Sequence, residues 1–94
     1  MPAITRLEDE SAGHGFSARP NNQASGTVFV NGKGVHRQGD SWPLHCLGPV
    51  CHTSKTETGS STVFINNVQC ARIGDPLDCG DMIAQGSDTV FAGG

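Results

Sequence analysis

Ninety-four residues with thirteen glycines, four phenylalanines, one tryptophan and no tyrosine make one small domain with a thin aromatic core. A formal charge of −3 excludes the basic face that nucleic-acid binding requires, and no run of 18 apolar residues exists to span a membrane as a helix. Four cysteines and four histidines are many for this length, and in a reducing compartment such a set reads as metal ligands before disulfides.

The N-terminal segment Met1–Arg6 lacks the basic-then-apolar layout of a secretory signal, so synthesis in the cytoplasm and export by another machine are expected. Next comes Arg6-Leu7-Glu8-Asp9, then His14 five residues after the aspartate. Gly26-Thr27-Val28-Phe29-Val30-Asn31-Gly32 reads as a short strand ending in an Asn-Gly hairpin turn. Arg37-Gln38-Gly39-Asp40 follows, with His45 again five residues after the aspartate. Leu47 to Thr58 is a stretch, read as a loop, that nothing else in the chain reproduces at full length. The strand returns as Ser61-Thr62-Val63-Phe64-Ile65-Asn66-Asn67, the turn as Arg72-Ile73-Gly74-Asp75, with Cys79 four residues on. Asp88-Thr89-Val90-Phe91-Ala92-Gly93-Gly94 is a third strand with no turn motif behind it.

These are copies of one unit. Val28 precedes Arg37 by nine residues, and Val63 precedes Arg72 by nine. The chain opens with the second half of a unit and ends with the first half. Round a closed ring the arginines stand 31, 35 and 28 residues apart (6 to 37, 37 to 72, 72 through 94 back to 6). The expected fold is therefore all-β: a small pseudo-threefold cone of short strands and tight turns with adjacent termini, a closure that hides sheet edges. Arg and Asp three residues apart are expected to pair locally, with Asp9, Asp40 and Asp75 structural. Period-two alternation sends the repeated Val and Phe to opposite faces, one to the core and one to a docking base.

Register in the repeat also selects the ligands. His14, His45 and Cys79 occupy nearly one position in the three units, so threefold folding delivers them to a common point near the apex. The non-repeated stretch supplies the fourth ligand, His52, with His36 and Cys51 as competitors. Imidazole and thiolate together suit a structural Zn2+ in a closed tetrahedral site. Cys46 and Cys51 read as free, partly buried thiols, with a disulfide between them the alternative in an oxidising space. Cys70, aligned with Val35, reads as a small core residue.

The Val-Phe-x-Asn-Gly strands, the Arg-x-Gly-Asp turns, the Pro2-Ala3 opening, the His45 region and Asp75-Pro76-x-x-Cys79-Gly80 together resemble the PAAR-repeat family of spike-tip proteins, over the whole chain 1–94. Gly34-Val35-His36-Arg37 and Gln69-Cys70-Ala71-Arg72 are degenerate forms of its namesake tetrapeptide, and Glu8 stands where the family expects glycine. The resemblance implies a zinc-stabilised cap on the trimeric β-helical spike of a phage tail or type VI secretion system, one cap per three spike chains, meeting the target membrane mechanically. Such a cap is not an enzyme, and no toxin domain flanks the repeats. Two rivals remain. One is a zinc-stapled adaptor that recruits effector proteins to the spike; the other is a zinc hydrolase using Glu10 or Glu57 as general base.

Overall fold

A computed structural model describes residues 1–13 and 18–94. The described residues contain strands, bridges and turns and no helix. Six strands form three separate two-stranded antiparallel sheets: β1 (Phe29–Val30) with β2 (Lys33–Gly34), β3 (Ser41–Leu47) with β4 (Val50–Lys55), and β5 (Phe64–Ile65) with β6 (Val68–Gln69). The body is elongated, 38 × 23 × 23 Å.

The β1–β2 and β5–β6 hairpins are equivalent. Each turns through two residues with positive φ, Asn31 and Gly32 at 55° and 77°, Asn66 and Asn67 at 53° and 69°, the type I′ geometry that matches strand twist. The third hairpin is discontinuous. Phe91 bridges Ala3, and the Ala92 N–H donates to the Pro2 carbonyl at 2.9 Å, so the last strand pairs with the first residues and the termini are adjacent.

Threefold closure is written in backbone hydrogen bonds. Thr5 N–H donates to Ala71 C=O, Ala71 N–H to His36 C=O and His36 N–H to Thr5 C=O, each at 3.0 Å. All three residues are fully buried, which places this cycle on the axis. Around it, Ile4, Val35 and Cys70 donate to Val90, Val28 and Val63 at 3.0, 3.0 and 2.9 Å. Those residues, with Ala92, Val30 and Ile65, make one apolar cluster. Phe29, Phe64 and Phe91 face outward and are about half exposed, so alternation divides Val from Phe as expected.

Each Arg-x-x-Asp turn is fixed in the same way. Arg6, Arg37 and Arg72 hold Asp9, Asp40 and Asp75 by two parallel charge-assisted bonds, Nε to Oδ2 and Nη2 to Oδ1, of 2.9 to 3.2 Å. The same Oδ2 accepts the backbone N–H of its own arginine. The third turn position needs a left-handed backbone: Gly39 and Gly74 have φ of 85° and 90°, and Glu8 adopts 72°. The remaining guanidinium nitrogen, Nη1, ties neighbouring units together, from Arg6 to Asn31 Oδ1, from Arg37 to Asn66 Oδ1 and from Arg72 to the Gly93 carbonyl. Where the third unit lacks asparagine, a backbone oxygen takes its place.

Serines complete the lattice. Ser25, Ser60 and Ser87 each accept the N–H groups two and three residues ahead. Each hydroxyl donates across to the next unit, to Asn66 Oδ1 at 2.6 Å, to the Gly93 carbonyl, and to Asn31 Oδ1 at 2.5 Å. Only eight apolar residues are buried among the described residues, against fourteen polar or charged ones. This interior is held by satisfied hydrogen bonds more than by apolar bulk.

The stretch after Asp40 breaks the symmetry. It is a β-hairpin and not the loop that the sequence suggested, with strands of seven and six residues joined through Gly48 (φ 60°) and Pro49. A second apolar cluster of Trp42, Ala71, Leu77 and Ile83 packs beneath it, with Cys79 against its edge.

Candidate metal centre

Two elements far apart in sequence build the site. In the β3–β4 hairpin His45 is paired directly with His52. Their Nε2 atoms are 2.6 Å apart and their rings meet edge to face at 4.5 Å. A bulge between Trp42 and His45 shifts the register, so Trp42 and His45, three residues apart, are both buried. Cys79 arrives on the turn Leu77–Asp81, closed by Leu77 N–H to Asp81 C=O at 2.9 Å and Gly80 N–H to Leu77 C=O at 3.2 Å. That turn is clamped to the base of β4. Lys55 N–H donates to Asp78 Oδ1 at 3.1 Å, Asp78 N–H returns to Lys55 C=O at 3.0 Å, and Thr56 bridges Leu77.

One nitrogen of His45, one of His52 and the sulfur of Cys79 lie within 4.8 Å of one another. His45 is buried; His52 and Cys79 are half-buried. His14 lies outside the described residues. The donor set of two imidazoles and a thiol without a carboxylate fits a borderline-soft ion such as Zn2+ and not Ca2+ or Mg2+, which take oxygen ligands. Asp81, in the same turn as Cys79, is buried, and its Oδ2 has no hydrogen-bond partner among the described residues, but it stands outside the His–His–Cys group.

The two competitors for the fourth position are elsewhere. His36 is fully buried on the axis with both nitrogens engaged. Its Nδ1 meets the Gln23 carbonyl at 2.7 Å, and a carbonyl only accepts, so Nδ1 carries the proton. Nε2 then accepts from the Thr56 hydroxyl at 2.7 Å, whose oxygen accepts the Trp42 indole N–H at 2.9 Å. Burial pushes the His36 pKa below 6.5 and keeps the ring neutral. This histidine is a pillar between the two apolar clusters. Nothing in the residue order revealed that role, because Thr5 and Ala71 at the matching positions have no comparable side chain.

Cys51 is no ligand either, and the reading of Cys46 and Cys51 as free thiols is overturned. The two are bonded as a disulfide across a directly opposed pair, Cα atoms 4.1 Å apart, and both are exposed. Hairpin register alone brings them together, which spacing in sequence could not decide. Cys70 is fully buried in the first cluster, and burial pushes its thiol up to about 11. Glu10 is exposed and bridges Pro20, and exposed Glu57 donates its N–H to Pro76 C=O; neither belongs to the His–His–Cys group.

Residues 20–85 match the family described as PAAR motif. Two bacterial toxins are similar over 78 residues at 35% identity: the NAD(P)(+) glycohydrolase toxin Tse6 and the (p)ppApp synthetase toxin Tas1, from two strains of Pseudomonas aeruginosa. Each similarity covers 77% of this chain but 18% of the toxin, so the chain spans under a fifth of these relatives' length.

Proposed function

Since this chain belongs to the PAAR-motif family, we propose that it caps the trimeric β-helical spike of a contractile injection machine, one cap to three spike chains, and stiffens the point that meets the target envelope. The observation that carries this reading is the ring of Phe29, Phe64 and Phe91. Three aromatic side chains at equivalent positions of one chain are each about half exposed, although burying a phenylalanine is worth about 2 kcal/mol. A threefold apolar surface on a monomer matches a partner with three identical chains. The similarity to two toxins favours a secretion machine over a phage tail as host, and it supports a second reading in which the cap also serves as an adaptor for effector proteins. The toxins' enzymatic names belong to proteins of which 18% is matched, and carry no activity to this chain.

In this reading His45, His52 and Cys79 hold Zn2+, with His14 as the fourth ligand. When bound, the ion supplies a rigid cross-link between the hairpin and the Leu77–Asp81 turn. The protein's own contribution is to orient the donors. The Asp78–Lys55 clamp sets where Cys79 stands, and the hairpin register sets His45 against His52.

The test is association with a trimeric spike, measured by light scattering. The expected complex holds one cap per three spike chains, and the triple change Phe29→Ser, Phe64→Ser, Phe91→Ser abolishes it while the isolated cap keeps its melting temperature. Any other stoichiometry, or full binding by the triple variant, would overturn the proposal.

A further inference from the structure

Beside the His–His–Cys group the hairpin carries a second chemically active pair. Cys46 and Cys51 form the next cross-strand pair outward from His45 and His52. Alternation turns them to the other face of the hairpin: His45 is buried, whereas Cys46 and Cys51 are both exposed. They can neither reach the metal donors nor hide from small thiols, and exposed disulfides are the reducible ones.

Their position gives them leverage over the site. Beyond His45 the hairpin tip has little apolar packing to fix its register, since Leu47 and Val50 are more than half exposed and the strands already slip once between Trp42 and His45. A further slip of one residue would turn His52 to the opposite face. A bond from Cys46 to Cys51 is compatible with one register alone, the one that sets His45 opposite His52. We propose that this pair is a redox-governed staple: a dithiol in reducing surroundings, leaving the hairpin loose enough to exchange metal, and a disulfide in oxidising surroundings, locking the histidines together and slowing metal loss. The metal consequence rests on the proposed zinc site.

The chemistry needs an oxidant, and a low-molecular-weight disulfide such as glutathione disulfide supplies it. One cysteine thiolate attacks that disulfide and releases one glutathione thiol. The second cysteine then attacks the mixed disulfide, forming the Cys46–Cys51 bond and releasing the second glutathione. Two protein S–H bonds are lost, two glutathione S–H bonds are gained, and one S–S bond is exchanged for another.

The experiment equilibrates the full chain, loaded with zinc, in glutathione buffers at cytosolic and at oxidising poise. Alkylation with mass readout counts reactive thiols, a chromophoric chelator reads zinc release, and amide exchange reads the hairpin. The expected result is two additional alkylated sulfurs at cytosolic poise and zinc release about tenfold slower from the oxidised form. The double variant Cys46→Ser, Cys51→Ser should release zinc at the fast rate under both poises; being exposed, both sites should accept serine without loss of the fold. A disulfide that persists at cytosolic poise, equal release from both forms, or redox-dependent release from the double variant would each overturn the proposal. If neither form binds zinc, the metal reading falls by itself. The staple is then judged on hairpin amide exchange, where slower exchange in the oxidised form supports it and equal exchange refutes it.

Discussion

In the repeated body the main stabilising contacts occur three times, whereas in the β3–β4 hairpin each occurs once. The body closes through a cycle of three buried backbone bonds, three bidentate Arg–Asp pairs and three serine cross-links. Losing one contact leaves two copies and a ring of neighbours. The hairpin is exposed along Leu44, Leu47 and Val50, and its tip depends on one disulfide and one group of metal donors. Symmetry supplies redundancy at the base; at the tip a disulfide and, in the proposed reading, a bound metal do the work that packing cannot. For a chain of this size a bound structural metal contributes folding energy directly.

Metal removal should break the comparison most visibly. Cys79→Ala or His45→Ala is expected to lose zinc and to cost about 5 kcal/mol or more of apparent stability, with amide protection lost first in the hairpin and retained at Thr5, His36 and Ala71. Metal analysis with hydrogen exchange checks this; equal protection loss in both regions would mean that they are one cooperative unit.

Asp40→Ala comes next, at about 3 kcal/mol in denaturant unfolding. It strands the mostly buried Arg37 guanidinium and removes the acceptor for the Arg37 N–H. Asp9→Ala and Asp75→Ala should cost the same within about 1 kcal/mol if the three units are equivalent; a large spread would show that the hairpin biases the unit it grows from.

His36 links the two regions and makes them pH-sensitive. Its folded pKa is depressed by burial, so the unfolded chain binds the proton more readily. Its contribution is therefore complete above pH 6.5 and is lost as the pH falls through the folded value. An NMR titration of the ring should show the Nδ1–H tautomer at neutral pH and protonation only below 6.5; a ring charged at pH 7 would contradict the Gln23–His36–Thr56–Trp42 chain.

The smallest effect sharpens the symmetry. Glu8 holds φ of 72° where the other two units have glycine, so Glu8→Gly should raise stability by about 0.5–1 kcal/mol in denaturant unfolding. Relief of the left-handed backbone outweighs the extra freedom glycine gives the unfolded chain.

Much of the body was legible because repetition is a statement about geometry. The matched spacing of Val28 to Arg37 and Val63 to Arg72, and the split unit at the two ends, required a closed threefold arrangement, and the Phe91–Ala3 bridge is that closure. The hairpin had no second copy to be compared with, so Leu47–Thr58 looked like a loop. The repeat named His45 and Cys79 as donors and the unrepeated stretch named His52, but the strand register and turn clamp that set them against one another are encoded by no short-range spacing.

The sequence alone determined the all-β class, the three units, their ring closure and the division of each Val–Phe pair between opposite faces, because each follows from a period or an offset along the chain; that phenylalanine takes the outer face was decided by the fold. Only the tertiary structure decided that His36 is a neutral buried pillar, that Cys46 and Cys51 are joined on the outer face, and which donors converge. Those outcomes depend on which side of a strand a residue faces and on what is packed opposite it, and a bulge of one residue is enough to reverse either.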